Sequence, residues 1–198
     1  MALTKGTTVI QDWLQVAAQG IVEGGPVSIA DGYDNFLFAQ AALDSTTAHT
    51  GTKFRVQVSN QTSGDEDWHD LFEIILCVGT AATEALAGAE TGGAATVLEV
   101  ADTTGFVTNG IWLFLKDDTI AASELVFQLS YVTNTSITVL DAITNSHTAA
   151  DALWNVAESK SWQLPSAAQR VRLIVDNNYD SGASTICYRA WVVKVTAL

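Results

Sequence analysis

Alternation of apolar and polar residues organises the chain. From Thr52 to Asn60 (T-K-F-R-V-Q-V-S-N), Phe54, Val56 and Val58 alternate with Lys53, Arg55, Gln57 and Ser59. That is the period of a strand with one dry face and one wet face. A second run, Gln169–Asn177 (Q-R-V-R-L-I-V-D-N), echoes it, with an internal arginine, an Asn at its end and a polar, Gly-containing loop beyond. The two runs are expected as central partners in a sandwich whose halves are separated by a long excursion. Pro26–Ala30 and Asn35–Leu43 read as further strands, with Asp31-Gly32 a turn between them. Trp68–Val78 places Phe72, Ile74, Leu76 and Val78 on one face and forms a hairpin with Thr52–Asn60 around the acidic loop Gln61–Asp67. Thr185–Thr196 is apolar on both faces, which puts it at a sheet centre or under a partner.

Residues 2–25 are ambiguous. Ile10, Trp13, Leu14 and Ala17 fall at helical spacing, while Thr7–Ile10 is β-branched and suits an extended chain. A short helix and an arm lying on a neighbouring subunit both fit, and Gly24-Gly25-Pro26 ends the segment. Residues 80–93 turn to small residues with Gly88, Gly92 and Gly93, the composition of a connector with room for a helical turn or two. Beyond it Thr96–Val100, Ile111–Leu115, Glu124–Thr133 and Ser136–Leu140 are short strands with turn residues between them, the spacing of a small barrel or meander. Asn145–Ala152 is polar and has room for one helical turn. The expected fold is all-β, an antiparallel, jelly-roll-like β-sandwich interrupted by a small β-barrel or meander insertion. Its expected parts are an N-terminal arm or short helix (1–25), a discontinuous sandwich (26–79 and 154–198), a linker (80–93) and an inserted β module (94–153).

Composition narrows the partners. Nearly half of the 198 residues are apolar, which suits a packed core, and the formal net charge is -13. Nucleic-acid phosphates need clustered Lys and Arg, so a nucleic-acid partner is disfavoured, as is an anionic membrane surface. The charge suits docking onto a basic or neutral protein surface, and equally suits plain solubility. Met1–Gly6 has no basic segment leading into an apolar core, so no signal peptide is expected, and no apolar run approaches the ~20 residues of a membrane helix. Cys77 and Cys187 each sit within a strand-like run and are expected as buried free thiols, with a bridge between them open where their strands are neighbours.

Candidate chemistry is sparse. His49, His69 and His147 stand apart, with no second His or Cys at metal-ligand spacing, which argues against zinc. The chain carries no G-x-S-x-G elbow, phosphate loop or dinucleotide fingerprint. Asp65, Glu66, Asp67 and Asp70, and separately Asp176, Asn178 and Asp180, are oxygen-rich enough for calcium. In the second set, however, Gly182 comes one place late for an EF-hand, and Cys187 stands where its bidentate carboxylate belongs. Solvated turn residues are the default for both, and no cofactor is expected. Trp68, Trp162 and Trp191 could stack on a sugar, but Trp is common in cores and subunit interfaces.

One resemblance enters at the inserted module. The run T-T-G-F-V-T-N-G (Thr103–Gly110), then I-W-L-F-L, then E-L-V-F-Q-L-S-Y-V-T-N-T-S-I-T-V-L (Glu124–Leu140), and His147 resemble small β modules of tailed-bacteriophage virion proteins. In those modules a Gly-Phe turn and a second Gly precede a strand; here Ile111 stands where an Asp often follows that Gly. The flanking halves, Pro26–Val78 and Trp154–Thr196, are similar to β-sandwiches of phage head and tail proteins. The resemblance implies a non-enzymatic virion protein without a cofactor, most simply a capsid decoration (cement) protein, assembled in the bacterial host cytoplasm. It would bind the major capsid protein or other virion proteins and copies of itself. Leu3, Ile10, Trp13, Leu14, Trp68 and Trp191 are the candidate interface residues. A tail-associated subunit (tube, terminator or fibre-associated) would use the same folds, and a carbohydrate-binding module recognising a host-surface glycan is the alternative of a different class.

Overall fold

The computed structural model describes residues 3–32, 34–64, 67–179 and 184–197. These residues are all-β: fifteen strands and three short 3-10 turns, with every strand pairing antiparallel. One four-stranded sheet runs in the order β1 (Leu3–Val16), β15 (Ile186–Ala197), β4 (Asp34–Leu43), β13 (Ala157–Gln163). A second sheet runs β2 (Ile21–Glu23), β14 (Arg170–Asp176), β5 (Thr52–Ser59), β6 (His69–Leu76), with the two-residue β3 (Val27–Ser28) also on β14.

With β3 set aside, the eight strands of these two sheets pair first with last (β1·β15), second with seventh (β2·β14), third with sixth (β4·β13) and fourth with fifth (β5·β6). That nesting is one long hairpin rolled into two sheets, the jelly roll. The two runs with the clearest alternation, β5 and β14, are the inner strands of the second sheet, paired from Lys53↔Asp176 to Ser59↔Arg170. Their alternation follows from this position. Phe54 and Val56 of β5, and Val171, Leu173 and Val175 of β14, point inward to meet Leu37, Ala39 and Ala41 of β4 and Tyr188, Ala190 and Val192 of β15. Burying each large side chain here contributes roughly 1.5–3 kcal/mol. β15 is apolar on both faces because it is interior to the first sheet, with the core beneath and further packing above.

The connection from β6 to β13 carries the remaining six strands, in the order β7 (Thr83–Ala85), β12 (Ala152–Trp154), β9 (Trp112–Lys116), β10 (Glu124–Val132), β11 (Ser136–Val139), β8 (Val97–Glu99). A Leu86↔Val100 bridge and a hydrogen bond from the Ala87 N–H to the Glu99 carbonyl (2.7 Å) join the two outer strands, closing the sheet into a small barrel. It has its own core, including Leu98, Phe106, Leu113, Leu115, Ile137 and Leu153. The barrel rests on the outer face of the first sheet, where Phe114 meets Trp13 (ring centroids 4.7 Å apart), Ala42 and Cys187. A largely buried ion pair, Lys116 Nζ to Asp44 Oδ2 at 2.8 Å, ties the two bodies together. Cys77 and Cys187 are both free and buried, and burial pushes both thiols up in pKa.

The structure corrects several sequence expectations. Residues 3–16 form a strand, not a helix or a free arm, and close the roll against β15. Register shifts between Val9 and Gln11 and between Gln11 and Leu14 interrupt the two-residue alternation. The bulged spacing therefore mimics a helical one. The connector 80–93 contains β7, recruited by backbone pairing to β12 without an apolar signature of its own. Gly92 serves close approach: a Cβ there would stand 2.6 Å from the Thr144 carbonyl oxygen. Residues 145–152 form no helix, because the Asp151 carboxylate accepts the Thr148 N–H at 2.7 Å and shapes a turn. The strand expected over Pro26–Ala30 shrinks to Val27–Ser28.

Candidate functional site

Two places carry more than packing: the uncovered half of the first sheet, and a buried cluster at one rim of the barrel. On the first sheet, in-register pairing aligns Val9, Trp191, Phe38 and Ser161 in a row across β1, β15, β4 and β13. Thr7, Val193, Phe36 and Gln163 form the next row. Residues directly opposite in antiparallel strands share a face. Trp191 and Phe38 stack with centroids 5.4 Å apart and planes 5° apart. Val9 beside them is 59% exposed. Phe36, Phe38, Trp191 and Val193 are half-buried. Two rows further along β15, the pair Cys187–Ala42 is fully covered by the barrel. Arg189 stands at the border, its guanidinium 5.0 Å from the Trp13 ring and 5.3 Å from the Trp191 ring, with Nε donating to Gln40 Oε1 at 2.5 Å. A shallow groove lined by Thr7, Gln11, Asp12 and Arg189 runs alongside Trp191.

The sequence-chosen interface residues separate into distinct settings. Leu3 opens β1 opposite Ala197. Ile10 and Leu14 are half-buried against the main core. Trp13 is 3% exposed and packed on Phe114, so it is used within the chain and offers no surface; its place in a bulged strand, not an arm, is the reason. Trp68 precedes β6, half-buried, with the guanidinium groups of Arg172 and Arg170 4.3 and 4.9 Å from its ring centre. Trp191 alone of the six lies in an apolar row that continues into Val9. Trp162, the third sugar-stacking candidate, packs on Phe72 at 4.9 Å.

At the barrel rim, three neighbouring strands bring distant residues together. Asp117 follows the end of β9, Glu124 begins β10, and His147 and Asp151 precede β12. His147 is 2% exposed. Its Nε2 lies 3.1 Å from Glu124 Oε1, and its Nδ1 lies 3.3 Å from Asp151 Oδ2 and 3.5 Å from Asp117 Oδ2. Glu124 also accepts the backbone N–H groups of Thr144 (2.7 Å) and Asn145 (3.0 Å). Burial opposes the charged carboxylate, but the His147 and backbone hydrogen bonds outweigh it, and the Glu124 pKa falls below its usual value. Burial likewise opposes a charged imidazole, yet Glu124, Asp151 and Asp117 outweigh it and raise the His147 pKa.

Sequence spacing missed this cluster because its members lie up to 34 positions apart and meet only when the barrel closes; the His147–Asp151 separation of four was its one local trace. Among the described residues, Asp117, His147 and Asp151 are the one group of His, Cys, Asp or Glu within metal-ligand reach of one another. The acidic turns are engaged differently. Asp70 accepts from Gln57 at 2.6 Å, Asp67 accepts from Gln61, and Asp176 accepts the Asn178 N–H at 3.0 Å. Asp65, Glu66, Asp180 and Gly182 lie outside the described residues. His49 belongs to another buried chain, Nε2 to Thr52 Oγ1 at 3.0 Å and on to Asn177 Oδ1 at 2.7 Å, which anchors the loop after β14.

No family model and no curated protein sequence matches the chain. Low-scoring structural neighbours come from virus particles. The structure of infectious bursal disease virus Gt strain is similar with a TM-score of 0.23 and 9% identity, over 98% of this chain and 40% of that one. VP17, a capsid protein of bacteriophage P23-77, is similar with a TM-score of 0.20 and 8% identity, over 100% of this chain and 99% of that one. The chain thus spans about 40% of the length of the bursal disease virus chain. At these scores the likeness carries no inference about mechanism or partners.

Proposed function

We propose that the chain is a non-enzymatic structural component of a tailed-phage virion, a capsid decoration protein that binds the assembled shell and braces it. The supporting observation is the in-register row Val9–Trp191–Phe38, left open on an outer jelly-roll sheet whose other half the barrel already covers. Jelly rolls recur in viral capsid and lectin domains, an analogy of fold. The resemblance of the barrel sequence to phage virion modules points the same way. Its partners are the major capsid protein or other virion proteins, together with copies of itself, and a net charge of -13 suits a basic or neutral shell surface. Assembly would take place in the host cytoplasm.

Co-sedimentation with shells lacking the protein tests this reading. Trp191→Glu and Phe38→Glu should each weaken shell occupancy by about tenfold or more, as for centrally placed aromatic contacts, with melting little changed. Undiminished occupancy in both variants rejects this surface. Rings or tubes formed by the purified protein alone would move the assignment to the tail. The stacked Trp191–Phe38 pair beside Arg189 favours one further reading, a glycan platform. Glycan-array binding that disappears in Trp191→Ala would favour it over shell binding.

A further inference from the structure

We propose that Asp117 Oδ2, His147 Nδ1 and Asp151 Oδ2 bind a divalent transition cation, zinc foremost, as a structural clasp at the barrel rim. His147 Nδ1 is buried and has no hydrogen-bond partner among the described residues. It faces two carboxylate oxygens at 3.3 and 3.5 Å. Those separations exceed the ~2.7–3.2 Å of a good N–H···O hydrogen bond. They match the edge of a zinc tetrahedron, since ligands about 2.0–2.1 Å from the ion stand roughly 3.3 Å apart. The other ring nitrogen is held by Glu124, the carboxylate–histidine pairing that fixes the tautomer and turns the free lone pair toward a metal. Both ligand carboxylates are oriented by the backbone: Asp117 Oδ1 accepts the Thr119 N–H at 2.6 Å, and Asp151 accepts those of Thr148 at 2.7 Å and Asp118 at 3.3 Å. The Asp117 side chain is 16% exposed, which gives the ion a way in from solvent and a place for a water ligand.

One imidazole nitrogen with two carboxylate oxygens is a borderline donor set, suited to zinc or manganese and poorly suited to calcium or magnesium. The ion would join the end of β9 to the segment before β12. This inference rests on the rim geometry alone and stands apart from the virion reading.

The full-length protein is stripped with EDTA, desalted, and titrated with zinc or manganese, with retained metal counted by elemental analysis. Retention of about one zinc per chain is expected, with melting raised by several degrees over the EDTA-treated form. Asp117→Asn, at the most exposed ligand, should keep the wild-type circular dichroism and lose about a hundredfold in zinc affinity. Asp151→Asn is the second variant if the first misfolds. Cobalt bound in place of zinc should give visible bands without the near-ultraviolet absorption of a thiolate, separating this site from Cys77 and Cys187. Identical melting with EDTA and with zinc, with no metal retained, would overturn the proposal and leave His147 as an ion-paired imidazolium. Undiminished zinc affinity in both Asn variants would also overturn it.

Discussion

Among the described residues, Tyr188 is the largest side chain wholly removed from solvent, and its hydroxyl has no hydrogen-bond partner. Burial pushes its pKa up to about 12 from an ordinary value of 10.0. Above the ordinary value the unfolded chain sheds this proton while the folded chain retains it. The folded state therefore holds its full advantage below pH ~10 and loses it as pH rises toward ~12. Urea unfolding at pH 8, 10 and 11 should show the decline, with about half of the roughly 2–3 kcal/mol carried by the full shift lost by pH 11. Tyr188→Phe should flatten that slope and cost little at neutral pH, because it deletes an unsatisfied polar group. At this scale the sequence was a partial guide. It marked Tyr188 and both cysteines as strand residues, but the surroundings of His147 are assembled from three separate connections that carry no local spacing rule.

Strands reveal themselves in sequence when one face is dry and the pairing is regular. β5 and β14 meet both conditions in their mutual pairing, whereas the β5–β6 ladder carries a register shift between Val56 and Gln57 and was legible from its apolar run instead. β1 meets neither, since two register shifts break its alternation. β7 is three residues long and is held by its neighbours' backbones, so its composition says nothing. A free N-terminal arm could be removed with the fold intact, whereas β1 is an integral strand of the roll. Deleting residues 2–20 strips the full ladder from β15 and takes away buried Trp13 and Val16. The truncated protein should lose its cooperative thermal transition by circular dichroism. A truncated protein that melts like the full chain would show that β15 tolerates an open edge.

For the whole molecule, the jelly roll and the barrel have separate cores, and among the described residues an apolar cluster around Trp13, Phe114 and Cys187 and the Lys116–Asp44 ion pair join them. The Asp44 side chain is only 4% exposed, while Lys116 is 30% exposed. Lys116→Met therefore strands a buried carboxylate, which Gln15 still contacts. The expected cost is about 2–3 kcal/mol, below the full penalty for a wholly buried pair because Lys116 is partly in water. Urea melts of Lys116→Met and of Lys116→Met with Asp44→Asn test this, and the second change should recover part of the loss. A sandwich interrupted by a β insertion was readable from the alternating runs. The choice of a closed barrel over an open meander, and its seat on the first sheet, were not, because both depend on contacts between segments with no shared pattern.

The chain departs from the roll at Cys77 and comes back at Ala157, and the Cys77 N–H donates to Glu158 at 2.9 Å, so the two doorways adjoin. A detour that starts and finishes at one spot behaves as a cassette. Lineages could trade one closed unit for another there, changing what is displayed outward, while the rolled hairpin keeps every one of its own ladders.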